Sequence, residues 1–99
     1  MKKHRMLVDG AWLDPATAEW FESVNPYTAQ RWAPIPRGGS ADVDRAVASA
    51  KKAFYSKEWG GLTASARGAL LRTLADLLAV EADRLAELET TDNGKLLAE

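Results

Sequence analysis

The 99 residues of this chain are enough for one modest domain, which should bury roughly two thirds of the surface that its unfolded chain exposes. Hydrophobic residues make up 46% and charged residues 27% of the chain, the proportions of an ordinary globular protein rather than a disordered or fibrous one. With 13 basic and 14 acidic side chains, the formal net charge is -1. Such a balance gives no field to attract nucleic acid or an anionic membrane, and we exclude both as partners.

The chain contains no cysteine, so it can form no disulfide, thiolate metal site or thiol nucleophile. Its amino terminus is basic like the start of a signal peptide, but Asp9 and Gly10 interrupt the apolar run that such a peptide needs. No stretch approaches the ~20 apolar residues of a membrane-spanning helix. We therefore expect a cytoplasmic protein.

Residues 1–36 are rich in β-strand signals and begin with the pattern of a hairpin. Asp9-Gly10 favours a type I′ turn, because both residues tolerate positive φ. Short apolar runs lie on either side of it, at Met6–Val8 and Ala11–Leu13. We expect two antiparallel strands here, which would be marginally stable unless another element covers them.

A second pair of strands is predicted further along the chain. The aromatic and β-branched run over residues 19–24 indicates one strand, which Asn25-Pro26 ends. After a polar link, residues 31–35 indicate its partner. Because Pro34 and Pro36 cannot donate a hydrogen bond to a ladder, this run should be either a strand at a sheet edge or an extended segment outside a sheet.

Residues 40–94 have the pattern of helices, after a flexible link at Gly38-Gly39. Ser40 is the predicted N-cap of the first helix, and its capping box is incomplete because Val43 stands where Glu or Gln would reach back. The apolar residues of this helix recur on one stripe at helical spacing: Val43, Ala46, Val47, Ala50 and Phe54.

The second helix is predicted to begin after a loop over residues 57–62, with Thr63 or Ser65 as its cap. Its leucines form a strong stripe at helical spacing: Leu70, Leu71, Leu74, Leu77 and Leu78. The stripe indicates one buried face.

The third helical segment, Ala82 to Thr91, is either a separate helix or a kinked continuation of the second. Asn93-Gly94 marks its end, because glycine readily takes the left-handed conformation that closes a helix. Residues 95–99 consist of good helix formers and predict the start of a further helix that is cut short. We therefore expect a fragment or truncated form of a longer protein.

Few residues are suited to chemistry. His4 lies in a basic terminus that we expect to be solvated. Gly38-Gly39 and Gly60-Gly61 complete no phosphate-binding motif, and we interpret both as linkers. A group of acidic residues spreads around a helix instead of converging on one point, as a hard cation requires; they are Glu81, Asp83, Glu87 and Glu89. From the residues alone we predict a soluble α+β segment.

The chain as a whole resembles the N-terminal stretch of the NAD(P)-dependent aldehyde dehydrogenases. The matching segments follow the order of that family: LVDGAWLD (7–14), FESVNP (21–26), SADVDRAVASAKKAF (40–54), LLRTLADLL (70–78) and LAELETTDNGK (85–95). The chain departs from the family pattern at Ala29-Gln30, where a glycine is common, and at Leu96, where a proline is common.

The resemblance implies an α/β fold in which residues 1–99 are an incomplete part of the doubly wound cofactor-binding domain of a much longer enzyme. It implies oxidation of an aldehyde to a carboxylic acid with NAD or NADP, in a homodimer or homotetramer. The family's catalytic groups lie outside this segment, so we assign no catalytic and no cofactor-binding residue and expect the segment alone to be inactive. The alternative is a non-catalytic interaction or structural module that pairs with a full-length relative.

The resemblance also implies one candidate site. Some members of the family bind a monovalent cation through oxygens just before the NP dipeptide and through the aspartate of the ETxDxGK stretch. The corresponding residues here are Ser23, Val24 and Asp92. A backbone carbonyl and a carboxylate suit a hard cation, but an aspartate where a helix stops also serves local hydrogen bonding. Both interpretations stay open.

Overall fold

A computed structural model describes residues 2–99. Within this range the chain forms four strands and then three helices: β1 Met6–Val8, β2 Ala11–Leu13, β3 Trp20–Asn25, β4 Gln30–Pro36, α1 Ser40–Phe54, α2 Ala64–Val80 and α3 Ala82–Asn93. The strands form two separate antiparallel sheets of two strands each, β1–β2 and β3–β4. These hairpins and helices confirm the predicted α/β content and its order along the chain.

The first hairpin has the predicted turn. Asp9 and Gly10 have φ values of 52° and 72°, the positive values that a type I′ turn requires. Val8 pairs with Ala11 beside the turn. The dipeptide therefore fixes both the position and the register of β1 and β2.

The second hairpin contains a bulge that the sequence does not indicate. Ser23 pairs with Ala33 but the next residue, Val24, pairs with Arg31. Trp32 is thus an extra residue on β4, and such a bulge redirects side chains and increases the local twist. The predicted edge placement of β4 is confirmed, because this sheet has two strands.

The predicted cap of α1 is wrong by one residue. Gly39 is the N-cap and Ser40 is the first helical residue. The reason is Asp42, whose Oδ2 accepts a hydrogen bond of 3.0 Å from the Gly39 N–H, as the acidic member of a capping box does. Oδ1 of the same carboxylate accepts the Ala16 N–H at 3.1 Å. Asp42 therefore ties the start of α1 to the loop after β2.

The structure decides both alternatives left open for the later helices. Thr63 caps α2, since its Oγ1 accepts a hydrogen bond of 3.1 Å from the Ala66 N–H. Glu81, with φ -95° and ψ 8°, separates α2 from α3. The third segment is therefore a helix of its own, and it ends as predicted at Gly94, whose φ is 79°.

Residues 95–99 form a turn in place of the predicted start of a helix. The Glu99 N–H donates to the Leu96 carbonyl at 3.1 Å, and Leu97 and Ala98 lie in the turn. Just before it, Asn93 Oδ1 accepts the Lys95 N–H at 2.8 Å. A single helical turn has too few hydrogen bonds to offset the entropy of ordering it, so helix-forming residues alone do not produce one.

Burial is slight throughout residues 2–99. Ala33, 1% exposed, is the one buried apolar side chain apart from Pro15. The accessible surface is 7922 Å², against roughly 5,500 Å² for a folded monomer of this mass. The radius of gyration is 17.0 Å, against about 13 Å for a compact chain of this length. The helices are formed, but their apolar faces lie open.

The leucine stripe of α2 is one of these open faces. Its five leucines are between 50% and 61% exposed, and every residue from Ala69 to Val80 is exposed. The stripe predicted a buried face, and nothing in the described chain buries it. No helix within residues 2–99 has the length and apolar character needed to cross a bilayer.

Candidate functional site

The structure brings Ser23 and Asp92 together although they lie 69 positions apart. Ser23 is on β3, and Asp92 is in the last turn of α3. The Ser23 hydroxyl donates a hydrogen bond to Asp92 Oδ1. A hydroxyl and a carboxylate are both hard oxygen ligands, so two of the three predicted ligand residues meet at one point.

Val24 follows Ser23 directly, on the far side of the β-bulge. Its side chain is apolar, so its only available ligand is the backbone carbonyl. A hard cation requires several converging oxygens, and the described residues contain no group of three or more His, Asp or Glu side chains placed to hold a metal. A cation here would therefore be held largely by backbone oxygens and water, with Asp92 as the charged ligand.

The end of α3 is fixed against the turn that follows β3. Gly94 adopts a left-handed conformation, and a Cβ atom on it would lie 2.9 Å from Pro26 Cγ. Only glycine fits both the conformation and the approach. This contact positions Asp92, two residues earlier, opposite Ser23.

Next to the site, two buried polar atoms have no hydrogen-bond partner among the described residues. They are Trp32 Nε1 and Thr90 Oγ1. Leaving such a group unpaired costs about 1–3 kcal/mol. Trp32 and Asp92 line the same cavity of about 290 Å³. The sequence did not predict that Trp32 lies beside Asp92, because no local signal indicates where the bulge places Trp32.

His4 is half-buried, so it is less solvated than expected. Its backbone N–H donates to the Pro34 carbonyl at 3.1 Å. Its ring packs edge-on against Trp32, with 6.2 Å between the ring centroids, and it lines the same cavity as Trp32 and Asp92. Pairing with β4 orders this residue, which makes His4 a packing residue of the cavity wall.

An ion pair outside the candidate site links the two ends of the first hairpin. Arg5 Nε lies 2.9 Å from Asp14 Oδ1. The hydrogen bond from Arg5 lowers the pKa of Asp14, and the same bond raises the pKa of Arg5. Both side chains are exposed, so the pair joins the ends of the hairpin at the surface and contributes little to stability.

The acidic residues after α2 are solvated, as predicted. Glu81 Oε2 pairs with Arg84 Nε at 2.6 Å, and Glu89 Oε1 lies 3.8 Å from Lys95 Nζ. Exposed pairs of this kind contribute little to stability. They do not converge on a common point, which leaves Ser23 and Asp92 as the one candidate site.

Comparison with known proteins places almost the whole chain in one family. Residues 12–99 match the model of the aldehyde dehydrogenase family. The chain is 46% identical over all its 99 residues to (Z)-2-((N-methylformamido)methylene)-5-hydroxybutyrolactone dehydrogenase of Acinetobacter baylyi, and it spans 20% of that protein.

Solved structures give the same result for the fold. An aldehyde dehydrogenase from Bacillus cereus superimposes with a TM-score of 0.92 at 33% identity, over 98% of this chain and 20% of that one. Betaine aldehyde dehydrogenase from Staphylococcus aureus, in complex with NAD+, superimposes with a TM-score of 0.88 at 36% identity. The match covers 96% of this chain and 19% of that one. The chain thus spans about a fifth of the length of these relatives.

Proposed function

The chain belongs to the aldehyde dehydrogenase family, and we propose that it is the amino-terminal part of an NAD(P)-dependent enzyme that oxidises an aldehyde to a carboxylic acid. The exposed leucine face of α2 carries the proposal, because it is an apolar surface of a kind that a larger domain buries. The similarity to dehydrogenases five times as long supports the same reading.

In this proposal the reacting groups lie outside residues 1–99. The chain has no cysteine to act as a nucleophile. It completes no dinucleotide-binding glycine motif, so the residues present do not fit NAD or NADP by themselves. The cofactor accepts hydride in such enzymes, and its binding groups belong to the remainder of the enzyme.

The role left to residues 1–99 is to pack against the rest of the cofactor-binding domain. The accessible surface exceeds that of a compact chain by roughly 2,400 Å². One partner of a standard interface contributes about 800 Å², so the open faces of α1 and α2 are large enough for extensive packing. We propose that they complete this domain as its outer layer, in a cytoplasmic homodimer or homotetramer.

Complementation tests this role. A relative from which the matching fifth has been deleted is expected to recover aldehyde-dependent reduction of NAD+ or NADP+ when the 99-residue chain is co-expressed with it. Leu74→Asp should abolish the recovery, because it places a charge in the centre of the packing face. Ala69→Asp introduces the same side chain on the opposite side of α2 and should preserve recovery. Failure of the unsubstituted chain, or equal loss in both variants, would contradict the role.

We also propose that Ser23, Val24 and Asp92 hold a monovalent cation. The meeting of Ser23 Oγ and Asp92 Oδ1 supports it. A bound cation stabilises the folded state by mass action, so the unfolding temperature should rise when potassium or sodium replaces choline at constant ionic strength. Asp92→Asn should abolish this rise, whereas Asp76→Asn on α2 should not.

The same measurement distinguishes a cation-binding role of Asp92 from a purely structural one. If Asp92 only accepts the hydrogen bond from Ser23, Asp92→Ala and Ser23→Ala will lower the unfolding temperature by the same amount in every salt. That result would refute the cation proposal and leave the packing role intact. The alternative of a non-catalytic module is not favoured, because the whole chain matches enzymes.

A further inference from the structure

The turn of the first hairpin joins an aspartate to a glycine in an open loop. Asp9 and Gly10 are both exposed, and a Cβ atom on Gly10 would meet nothing within 4 Å. Within residues 2–99 the Gly10 N–H donates to no backbone carbonyl. The Gly10 nitrogen is therefore free to move against the neighbouring carboxyl group of Asp9.

An aspartate followed by glycine can close a succinimide ring, because glycine has no Cβ atom to hinder its nitrogen. The Gly10 nitrogen bonds to Asp9 Cγ, and the hydroxyl of the protonated carboxyl group leaves as water with the amide proton. Water then opens the ring at Cγ, which restores aspartate, or at the main-chain carbonyl carbon of Asp9. The second opening gives isoaspartate, in which the main chain runs through Cβ and Cγ and the α-carboxylate is free. One water leaves and one returns, so no other reactant is needed.

A second dipeptide of the same chemical kind is held by the fold. Asn93-Gly94 reacts by the same route with loss of ammonia, but the Gly94 N–H donates to the Thr90 carbonyl at 2.9 Å. Asn93 Oδ1 accepts the Lys95 N–H at 2.8 Å. Both the attacking nitrogen and the attacked side chain are therefore held, and the reaction needs a local opening that breaks two hydrogen bonds.

We propose that Asp9 is a site of spontaneous isoaspartate formation in the folded protein, whereas Asn93 is protected. The extra main-chain methylene falls in a loop of two residues, whose length fixes the pairing of Val8 with Ala11. Isomerisation of Asp9 therefore releases the first hairpin and leaves β3 and β4 paired. The free α-carboxylate is the group that an isoaspartyl methyltransferase methylates, so an enzyme of this class is the partner of the modified turn.

Asp9 belongs neither to the leucine face of α2 nor to the candidate cation site. Its reaction therefore depends on neither of the roles proposed above.

Ageing of the full-length protein at neutral pH, with and without guanidinium chloride, tests the two dipeptides together. Isoaspartate is located in peptides by methyl transfer from S-adenosylmethionine and by resistance to a protease that cleaves before aspartate. The denaturant should accelerate the reaction of Asn93 at least about tenfold, because two hydrogen bonds no longer hold it. It should change the rate at Asp9 by less than about twofold, because no such bond holds Gly10.

Two substitutions control for the chemistry while keeping the turn. Asp9→Gly suits the positive φ of a type I′ turn and removes the carboxyl group, so all isoaspartate at position 9 should disappear. Asp9→Asn also suits the turn and should react faster, with loss of ammonia. In the aged native protein, the β1 and β2 amides of the isoaspartate fraction should exchange hydrogen faster, whereas those of β3 and β4 should be unchanged.

Two results would overturn the assignment of the site. They are an Asp9 that stays unmodified in the folded protein and an Asp9 that denaturant accelerates as strongly as Asn93, since either would show that the fold protects this turn as well. Unchanged exchange of β1 and β2 in the isoaspartate fraction would overturn the release of the hairpin.

Discussion

Ala29 lies in the turn between β3 and β4 with a φ of 58°. A residue with a Cβ atom pays about 1–2 kcal/mol for this conformation, whereas glycine adopts it freely. The position is one where the aldehyde dehydrogenases commonly have glycine, so the departure in sequence is matched by strain in the backbone.

We therefore predict that Ala29→Gly stabilises the second hairpin by about 0.5–1 kcal/mol, after allowance for the greater freedom of glycine in the unfolded chain. Ala16→Gly is the matched control, since Ala16 does not have a positive φ, and it should destabilise slightly. Urea unfolding followed by tryptophan fluorescence would measure both. Equal effects of the two substitutions would show that the φ of Ala29 is not strained.

The Arg5–Asp14 pair predicts a pH dependence with a definite sign. Because the hydrogen bond from Arg5 lowers the pKa of Asp14 in the fold, the stabilisation is fully present above the ordinary carboxyl pKa of about 3.9. It is lost as the pH falls through the lower pKa of the folded state. In an NMR titration the Asp14 carboxyl should have its midpoint below that of an unstructured aspartate.

Arg5→Gln should return this midpoint towards the ordinary value. Lys3→Gln removes a charge that makes a smaller contribution at the same carboxyl, so it should move the midpoint less. An unchanged midpoint in Arg5→Gln would assign the lowered pKa to something other than the ion pair.

At the scale of the elements, α2 depends on its cap more than a packed helix would. The Thr63 Oγ1 bond to the Ala66 N–H satisfies one of the free donors at its start, and tertiary contacts supply little. We predict that Thr63→Ala lowers helix stability by about 1 kcal/mol, seen as lost helical circular dichroism. Ser65→Ala, inside the helix, should have little effect. Similar losses in both would contradict Thr63 as the cap.

The elements that local chemistry determines were predicted from sequence. Asp9-Gly10 specifies a turn through its own φ preferences, and Gly94 specifies the end of α3 in the same way. The N-cap of α1 was predicted one residue too late. The sequence alone does not show that the Asp42 carboxylate accepts the Gly39 N–H. Local signals therefore locate an element to within about a residue or two.

The bulge at Trp32 and the meeting of Ser23 with Asp92 have a different cause. Both depend on how β3, β4 and α3 pack together, which no local spacing encodes. The candidate site could be named from the family resemblance, but its contact could not be derived from the residues. The turn after Gly94 likewise shows that helix-forming residues need a full turn of hydrogen bonds and a surface to pack on.

At the scale of the whole molecule, one region of the structure is held by tertiary contacts and another is not. β3, β4 and the end of α3 are joined by the Ser23–Asp92 bond and by the approach of Gly94 to Pro26. The middle of α2 has helical hydrogen bonds but no burial. Amide protons open locally where few apolar contacts hold a segment, so in dilute solution we predict faster hydrogen exchange in α2 than in β3 and β4.

Hydrogen exchange followed by NMR in dilute solution measures this order for each amide. Leu74→Asp should leave the order unchanged, because no apolar contact of the described chain covers Leu74. Exchange in the middle of α2 as slow as in β3 and β4 would show that its leucine face is covered.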